Sequence, residues 1–253
     1  MGRFDGVLLC SDVDGTLAIG KEIPQRNLDA IAYFQSEGGR FTLATGRPAG
    51  YQHTFPFRVN APVVSDNGAC ITDCDSGRVI WTFPLDGCGA LLEWLDQSTA
   101  PICTFDFSDE LVRAAPGNVV ETFLGHKGAD LFKIVCHGFA SEEEAVAFRD
   151  LAKETFCERY GISRSWSTGV EFISPLGGKG NCVSFLRKIC DDVHTVVAVG
   201  DYENDVTMLL AADLAFAPSN ACPEVCAVHP NPVCSCREGA VGDVIDELAR
   251  RFG

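Results

Sequence analysis

The chain has 253 residues, 46% hydrophobic and 22% charged, with 12 Pro and 25 Gly; this is the composition of one large or two modest globular domains, not of a collagenous or low-complexity chain. Asp and Glu number 35 against 20 Lys and Arg, a formal charge of −15. A field of that sign repels phosphate backbones and anionic membrane surfaces, so neither nucleic acid nor a membrane is expected as a partner, and an anionic substrate would need a local cluster of cations or a metal.

The chain reads first as alternating buried strands and helices. Val7 to Cys10 is a short apolar run ending at Asp12, as in a fully buried strand. Pro24 opens a segment with apolar residues at Leu28, Ile31, Ala32 and Phe34, closed by Gly38-Gly39; proline in the first turn and glycine after the last is the polarity of a helix. Phe41–Ala44 and Pro62–Ser65 read as two further buried strands, ending in Thr45-Gly46-Arg47 and Asp66-Asn67-Gly68. Ile71–Thr72 and Val79–Phe83 flank Asp75-Ser76-Gly77 as a hairpin. From about Leu85 the pattern changes: a helix around Leu91–Leu95, strands at Ile102–Phe107, Leu111–Ala114 and Leu131–Cys136, a helix from Ser141 to about Tyr160, and strands near Ile162–Trp166 and Val170–Ile173. Ser141-Glu-Glu-Glu144 is a capping box. After Gly177-Gly178-Lys179 the alternation returns, with helices at Asn181–Cys190, Asp205–Ala212 and Val241–Phe252 and strands at Thr195–Val199 and Leu214–Ala217. The predicted architecture is a doubly wound α/β core with a parallel, Rossmann-like sheet, built from residues 1–84 and 176–253, with a smaller α+β unit, 85–175, inserted in the middle.

No apolar run approaches the roughly 18 residues that span a bilayer, and the N-terminal stretch has no signal-peptide core, so a cytoplasmic chain is expected. Thirteen Cys are scattered through apolar segments, among them Cys10, Cys103, Cys136, Cys182 and Cys190, where cysteine acts as a small hydrophobe. Cys222, Cys226, His229, Cys234 and Cys236 cluster locally. Their C-x3-C and C-x-C spacings differ from the paired C-x2-C knuckles of zinc modules, and they too are read as thiols.

In a doubly wound sheet, ligands bind beyond the carboxyl ends of the strands. The predicted strand ends carry Asp12 and Asp14, then Thr45, then Asn67, then Asp201, Asn204 and Asp205, and Lys179 stands at a helix start. Carboxylates, a hydroxyl, an amide and one ammonium make a metal-assisted anion site. Asp12 and Asp14 can share a site only if the chain turns at once, which Gly15 permits. An EF-hand is excluded because Ala18, Ile19 and Gly20 stand where its loop needs oxygens. Each residue also has a plainer reading: Asp201 or Asp205 as a helix cap, Thr45 as a strand end, Lys179 as a solvated side chain. Arg47 and Asn67 could contact substrate or fix their own turns.

Asp12-Val-Asp-Gly-Thr-Leu17, Thr45-Gly-Arg47, Gly178-Lys-Gly180 and Gly200-Asp-Tyr-Glu-Asn-Asp205 resemble, in order, the four motifs of the haloacid dehalogenase-like phosphohydrolases. Ser65-Asp-Asn-Gly-Ala69 and the inserted unit are similar to the Cof-type branch, and the resemblance covers essentially the whole chain. It implies a phosphatase in which Asp12 is the nucleophile that becomes an aspartyl-phosphate and Asp14 the acid and later base. It implies Mg²⁺ held by the Asp12 carboxylate, the Asp14 main-chain carbonyl and Asp201, with Asp205 in the metal group or orienting its waters or Lys179. Thr45 and Lys179 would bind phosphoryl oxygens, with Gly46, Arg47, Asn67 and Asn204 as further substrate contacts. The partner implied is a small phosphorylated metabolite such as a sugar phosphate. Arg113, His126, Lys127 and Lys133 are the polar contacts the inserted cap offers. A phosphomutase, which would need more clustered cations there, and a non-catalytic phospholigand-binding protein are the alternatives. Ala217-Pro-Ser-Asn-Ala221 and the Cys222–Cys236 stretch depart from the branch's usual pattern, and nothing in the sequence sets an oligomeric state.

Overall fold

The computed structural model describes residues 2–126 and 128–252. It divides into two compact units, Met1–Trp81 with Lys179–Gly253, and Thr82–Gly178. In chain order the first unit begins with β1 (Val7–Ser11), α1 (Gln25–Ser36), β2 (Arg40–Leu43), β3 (Val63–Ser65), β4 (Cys70–Thr72) and β5 (Val79–Thr82), at whose last residue the second unit starts. The second unit holds α2 (Gly89–Asp96), β6 (Ile102–Phe107), β7 (Leu111–Ala114), α3 (Val119–Leu124), β8 (Leu131–His137), α4 (Glu142–Phe156), β9 (Gly161–Trp166) and β10 (Gly169–Ile173). The first unit then resumes with α5 (Lys179–Ile189), β11 (Thr195–Val199), α6 (Val206–Ala211), β12 (Leu214–Pro218), α7 (Pro223–Cys226), β13 (Asn231–Val233) and α8 (Ala240–Arg251).

The core sheet of the first unit runs β13-β12-β11-β1-β2 and every pairing in it is parallel. All five residues of β1, Val-Leu-Leu-Cys-Ser, are buried, as the continuous apolar run requires of a strand covered on both faces. Ile31 and Phe34 of α1 join Val244, Ile245 and Leu248 of α8 over Val7 and Leu9 of β1 in one apolar core, and α5 packs against α6. From β1 the chain steps to β2 on one side, then returns to β11 on the other. That reversal is the switch point at which a doubly wound sheet opens a crevice beyond its strand ends.

Two expectations need adjustment. The Pro62–Ser65 strand does not extend the core sheet. As β3 it pairs antiparallel with β4 in a separate sheet, β3-β4-β5, because the turn Asp66-Asn67-Gly68 sends the chain straight back; beside β2 it makes a parallel bridge from Val64 to Ala44, with the Thr45 N–H donating to the Val64 carbonyl at 2.9 Å. The short elements α3, α7 and β13 carried too little periodicity to be predicted. Pro232 within β13 is tolerated because this strand forms the sheet edge.

The second unit is an antiparallel sheet, β7-β6-β8-β10-β9. Its core joins Leu91 and Leu95 of α2, Phe148 and Ala152 of α4, and Phe105, Ile134 and Phe172 of the sheet. At the start of α4 the Ser141 hydroxyl accepts the Glu144 N–H (3.3 Å), and the Glu144 carboxylate reaches back to the Ala140 N–H (3.1 Å), one residue earlier than in a standard capping box. No helix among the described residues is long and apolar enough to cross a membrane.

Candidate active site

Asp12 follows β1 directly, and its N–H donates to the carbonyl of Val199 at the end of β11 (2.9 Å), which ties the first acidic loop to the one carrying Asp201. The chain then turns at Gly15, at φ +90°. A Cβ there would stand 2.3 Å from Asp201 Oδ2, so glycine serves both the left-handed backbone and the close approach of the carboxylate. The wholly buried Thr16 donates its hydroxyl to Asp201 Oδ1 at 2.7 Å.

Lys179, the first residue of α5, is 1% exposed. Its ammonium donates to Asp12 Oδ1 and Asp205 Oδ1, each at 2.6 Å. The reading of Lys179 as a solvated side chain is therefore excluded. The other oxygen of Asp205 accepts the N–H groups of Asp201 (3.0 Å) and Tyr202 (3.1 Å). Asp205 thus closes the short turn Glu203–Asp205 from its third residue and orients Lys179 as well; as the N-cap of the helix that follows, its plainer reading, it makes no side-chain bond.

Asp12, Asp201 and Asp205 are all buried, and each offers an oxygen within 4.8 Å of the others. Burial first, then the neighbouring Asp205, pushes the Asp12 carboxyl well above its ordinary range, with Lys179 working in the opposite direction. Burial and then Asp205 raise Asp201 to about 7. Burial disfavours the Lys179 ammonium, but Asp12 and Asp205 outweigh it and hold its pKa above the ordinary lysine value. Three acids face one ammonium, and the site is short of positive charge. Oδ2 of Asp12 and Oδ2 of Asp201 accept no hydrogen bond among the described residues, so two hard oxygens remain to hold a hard divalent cation. The donor set fits Mg²⁺.

Asp14 does not join this group by its side chain. Its carboxylate is held bidentate by Arg47, at 2.8 Å from Nε and 2.6 Å from Nη2, and the guanidinium also lies 4.8 Å from the Tyr51 ring centroid. The Thr45 hydroxyl accepts the Arg47 N–H (3.1 Å), which leaves its proton to donate outward. Asp66, Asn67 and Gly68 all have left-handed backbones, at φ 50°, 55° and 89°. Within this turn Asn67 Oδ1 accepts from Asn204 Nδ2 (2.9 Å), while the buried Asn204 Oδ1 finds no partner among the described residues. A Cβ on Gly46 would meet Asn67 Nδ2 at 3.0 Å. Thr45, Gly46, Asn67 and Asn204 therefore form a second, amide-and-hydroxyl group beside the acids' strand ends. Sequence reasoning assigned no role to Thr16, although its motif, Asp12-Val-Asp-Gly-Thr16, had been singled out.

In the second unit, Arg113 is exposed on β7. His126 donates Nδ1 to the Thr122 carbonyl at 2.9 Å and stacks on Phe107. Lys133 is buried, 3.9 Å from Asp106 and 3.8 Å from Glu171, and Lys127 lies outside the described residues. In the cysteine-rich stretch Cys236 is buried, Cys222 and Cys234 are half-buried and Cys226 is exposed. Among the described residues the acidic trio is the one group of three or more His, Cys, Asp or Glu side chains that converges.

The parallel α/β sheet thus carries, at its first strand end, an acid whose carboxylate meets a buried lysine shared with a second aspartate. The chain matches the model of the family described as haloacid dehalogenase-like hydrolase over residues 9–245; it belongs to that family, in its Cof-type branch, as a phosphatase-class enzyme. YxeH of Bacillus subtilis (strain 168), named as a candidate phosphatase, is 25% identical over 266 residues, spanning 95% of this chain and 97% of that protein. Two solved structures share the fold. A haloacid dehalogenase-like hydrolase from B. subtilis superposes with a TM-score of 0.80 at 21% identity, covering 95% of this chain and 99% of that one. The HAD subclass IIB sugar phosphatase BT4131 gives 0.75 at 17% identity, covering 95% and 98%.

Proposed function

We propose that this chain is a Mg²⁺-dependent phosphatase that hydrolyses small phosphorylated metabolites, sugar phosphates foremost, through an aspartyl-phosphate on Asp12. The observation that carries the reading is the buried Lys179 ammonium shared by Asp12 and Asp205 beside Asp201. It combines a carboxylate nucleophile, a cation for the phosphoryl oxygens and a set of metal-holding acids in one place. The likeness to a protein described as a sugar phosphatase supports the substrate class.

In this reading an Asp12 carboxylate oxygen attacks phosphorus in line, forming an acyl phosphate as the bond to the leaving oxygen breaks. Asp14 protonates that oxygen and then takes a proton from the water that attacks the phosphorus and releases Asp12. For this the Asp14–Arg47 pair has to open, and Arg47 is then available to the substrate anion. The Thr45 hydroxyl and the Lys179 ammonium stabilise the negative equatorial oxygens, with Gly46, Asn67 and Asn204 lining the same end of the sheet. Asp205, with both oxygens engaged, holds Lys179 and the Asp201 loop in register. The Asp12 and Asp201 carboxylates and the Asp14 main-chain carbonyl would hold Mg²⁺, which would supply the positive charge that screens carboxylate from phosphate. The inserted unit sets which metabolite is accepted.

Release of inorganic phosphate from p-nitrophenyl phosphate and from a panel of hexose phosphates tests this. Turnover should require Mg²⁺, stop in EDTA and vanish in Asp12→Asn. Phosphate release surviving Asp12→Asn rejects Asp12 as the nucleophile.

A further inference from the structure

Strand β12 ends at Pro218, and the next three residues form a turn closed by the Ala221 N–H donating to the Pro218 carbonyl (2.9 Å). The turn places the Asn220 side chain between two backbone groups remote in sequence. Its Nδ2 donates to the Gly15 carbonyl at 2.8 Å, and its Oδ1 accepts the Cys236 N–H at 2.9 Å. Just beyond, the Cys222 N–H donates to the Asp201 carbonyl at 2.8 Å. Residues 218–222 therefore hold both acidic loops at once, that of Asp12 through Gly15 and that of Asp201 through its own carbonyl. Gly15 is also where the backbone lies against the Asp201 carboxylate, with room for no side chain.

We infer that Asn220 is a positioning residue for the metal-holding acids: by fixing the Gly15 carbonyl it sets how far the Asp12 loop stands from Asp201, and so the fit of the site to a divalent cation. The inference rests on the metal-site reading above and adds a residue to which that reading gives no part. Asn220 is exposed, so truncating it opens no buried hole, and water can take over the freed backbone groups. What is lost is the spacing of the two loops, not the fold.

The test titrates Mn²⁺ calorimetrically into the full chain stripped of metal, for the wild type, Asn220→Ala, Asn220→Ser and the control Ser219→Ala, whose side chain makes none of these bonds. Thermal melting and steady-state phosphate release from p-nitrophenyl phosphate accompany each titration. Losing one positioning hydrogen bond should weaken Mn²⁺ binding about fivefold in both Asn220 variants. It should lower kcat at saturating metal with KM unchanged within about twofold, and leave the melting temperature within about 2 °C of the wild type. Ser219→Ala should match the wild type throughout. Wild-type Mn²⁺ affinity in Asn220→Ala overturns the inference, as does a melting point lowered so far that metal uptake merely follows the folded fraction. A wild-type chain that takes up no divalent ion overturns it too. Should the wild type bind Mn²⁺ and Asn220→Ala weaken that binding while no phosphomonoester is hydrolysed, Asn220 stands as a positioning residue and the phosphatase reading falls.

Discussion

Replacing Lys179 by methionine, similar in length and uncharged, should cost far more than an ordinary lysine substitution. The side chain is 1% exposed and contacts two carboxylates at 2.6 Å each; removing one partner of a buried ion pair costs about 3–5 kcal/mol, because the charge left behind has neither water nor counter-ion. Two carboxylates would be stranded here, but the penalty is capped by proton uptake. Asp12 is already pushed well above its ordinary value with Lys179 present, and without that cation it moves higher still. Its folded-state pKa then exceeds the unfolded one, so its contribution to stability is lost as pH rises and regained as pH falls. In EDTA the variant should lose about 3 kcal/mol at pH 7.5, or roughly 6–12 °C in melting temperature for a chain of this size, and the loss should shrink at pH 5.5. Melting of the wild type and Lys179→Met across that range by calorimetry provides the check. A variant melting with the wild type at pH 7.5, or one whose deficit widens on acidification, would refute the picture of Lys179 as the counter-charge of a buried acidic group.

Three further outcomes follow from the same geometry. Gly15→Ala forces a side chain into a left-handed backbone at φ +90° and against Asp201 Oδ2, so it should destabilise the chain by about 1–3 kcal/mol in urea denaturation. Its phosphate release should fall further than that instability explains; full activity would show that the loop can move aside. Asp201, raised to about 7 by burial and then Asp205, disfavours the folded state as pH climbs from its unfolded value toward 7. In EDTA, Asp201→Asn should therefore gain stability relative to the wild type between pH 5 and 8, and a flat difference contradicts the assignment. Saturating Mg²⁺ should raise the wild-type melting temperature at pH 7.5, and this gain should disappear in Asp201→Asn.

The strand-end acids were legible in the sequence because each closes an apolar run long enough to be a buried strand, and a parallel sheet gathers such ends on one edge whatever the details of packing. Lys179 and Asp205 were legible as residues of the site, but their bond to each other was not, since the approach of α5 to the turn before α6 is a tertiary fact. The same limit hid Thr16 and Asn220: their bonds to Asp201 and Gly15 span 185 and 205 residues, beyond any local pattern. Asp14 shows the reverse, a residue marked by its motif whose carboxylate is turned to Arg47. A lone Asp-x-Asp does not encode which cation its second acid meets. The strand at Pro62–Ser65 was legible but its pairing was not assigned, although the Asn67-Gly68 dipeptide that follows it is a hairpin signal and the left-handed turn at Asp66-Asn67-Gly68 does fold β4 back antiparallel on β3.

The central claim is that Asp12 briefly carries the phosphoryl group. Rapid acid quench of a single turnover with a ³²P-labelled phosphomonoester, followed by peptide mapping, examines it directly. Hydroxylamine-labile label on the peptide containing Asp12, accumulating further in Asp14→Asn where water attack is slowed, is the predicted result. Phosphate released at the full rate with no labelled protein at any time, or label on another residue, would contradict it.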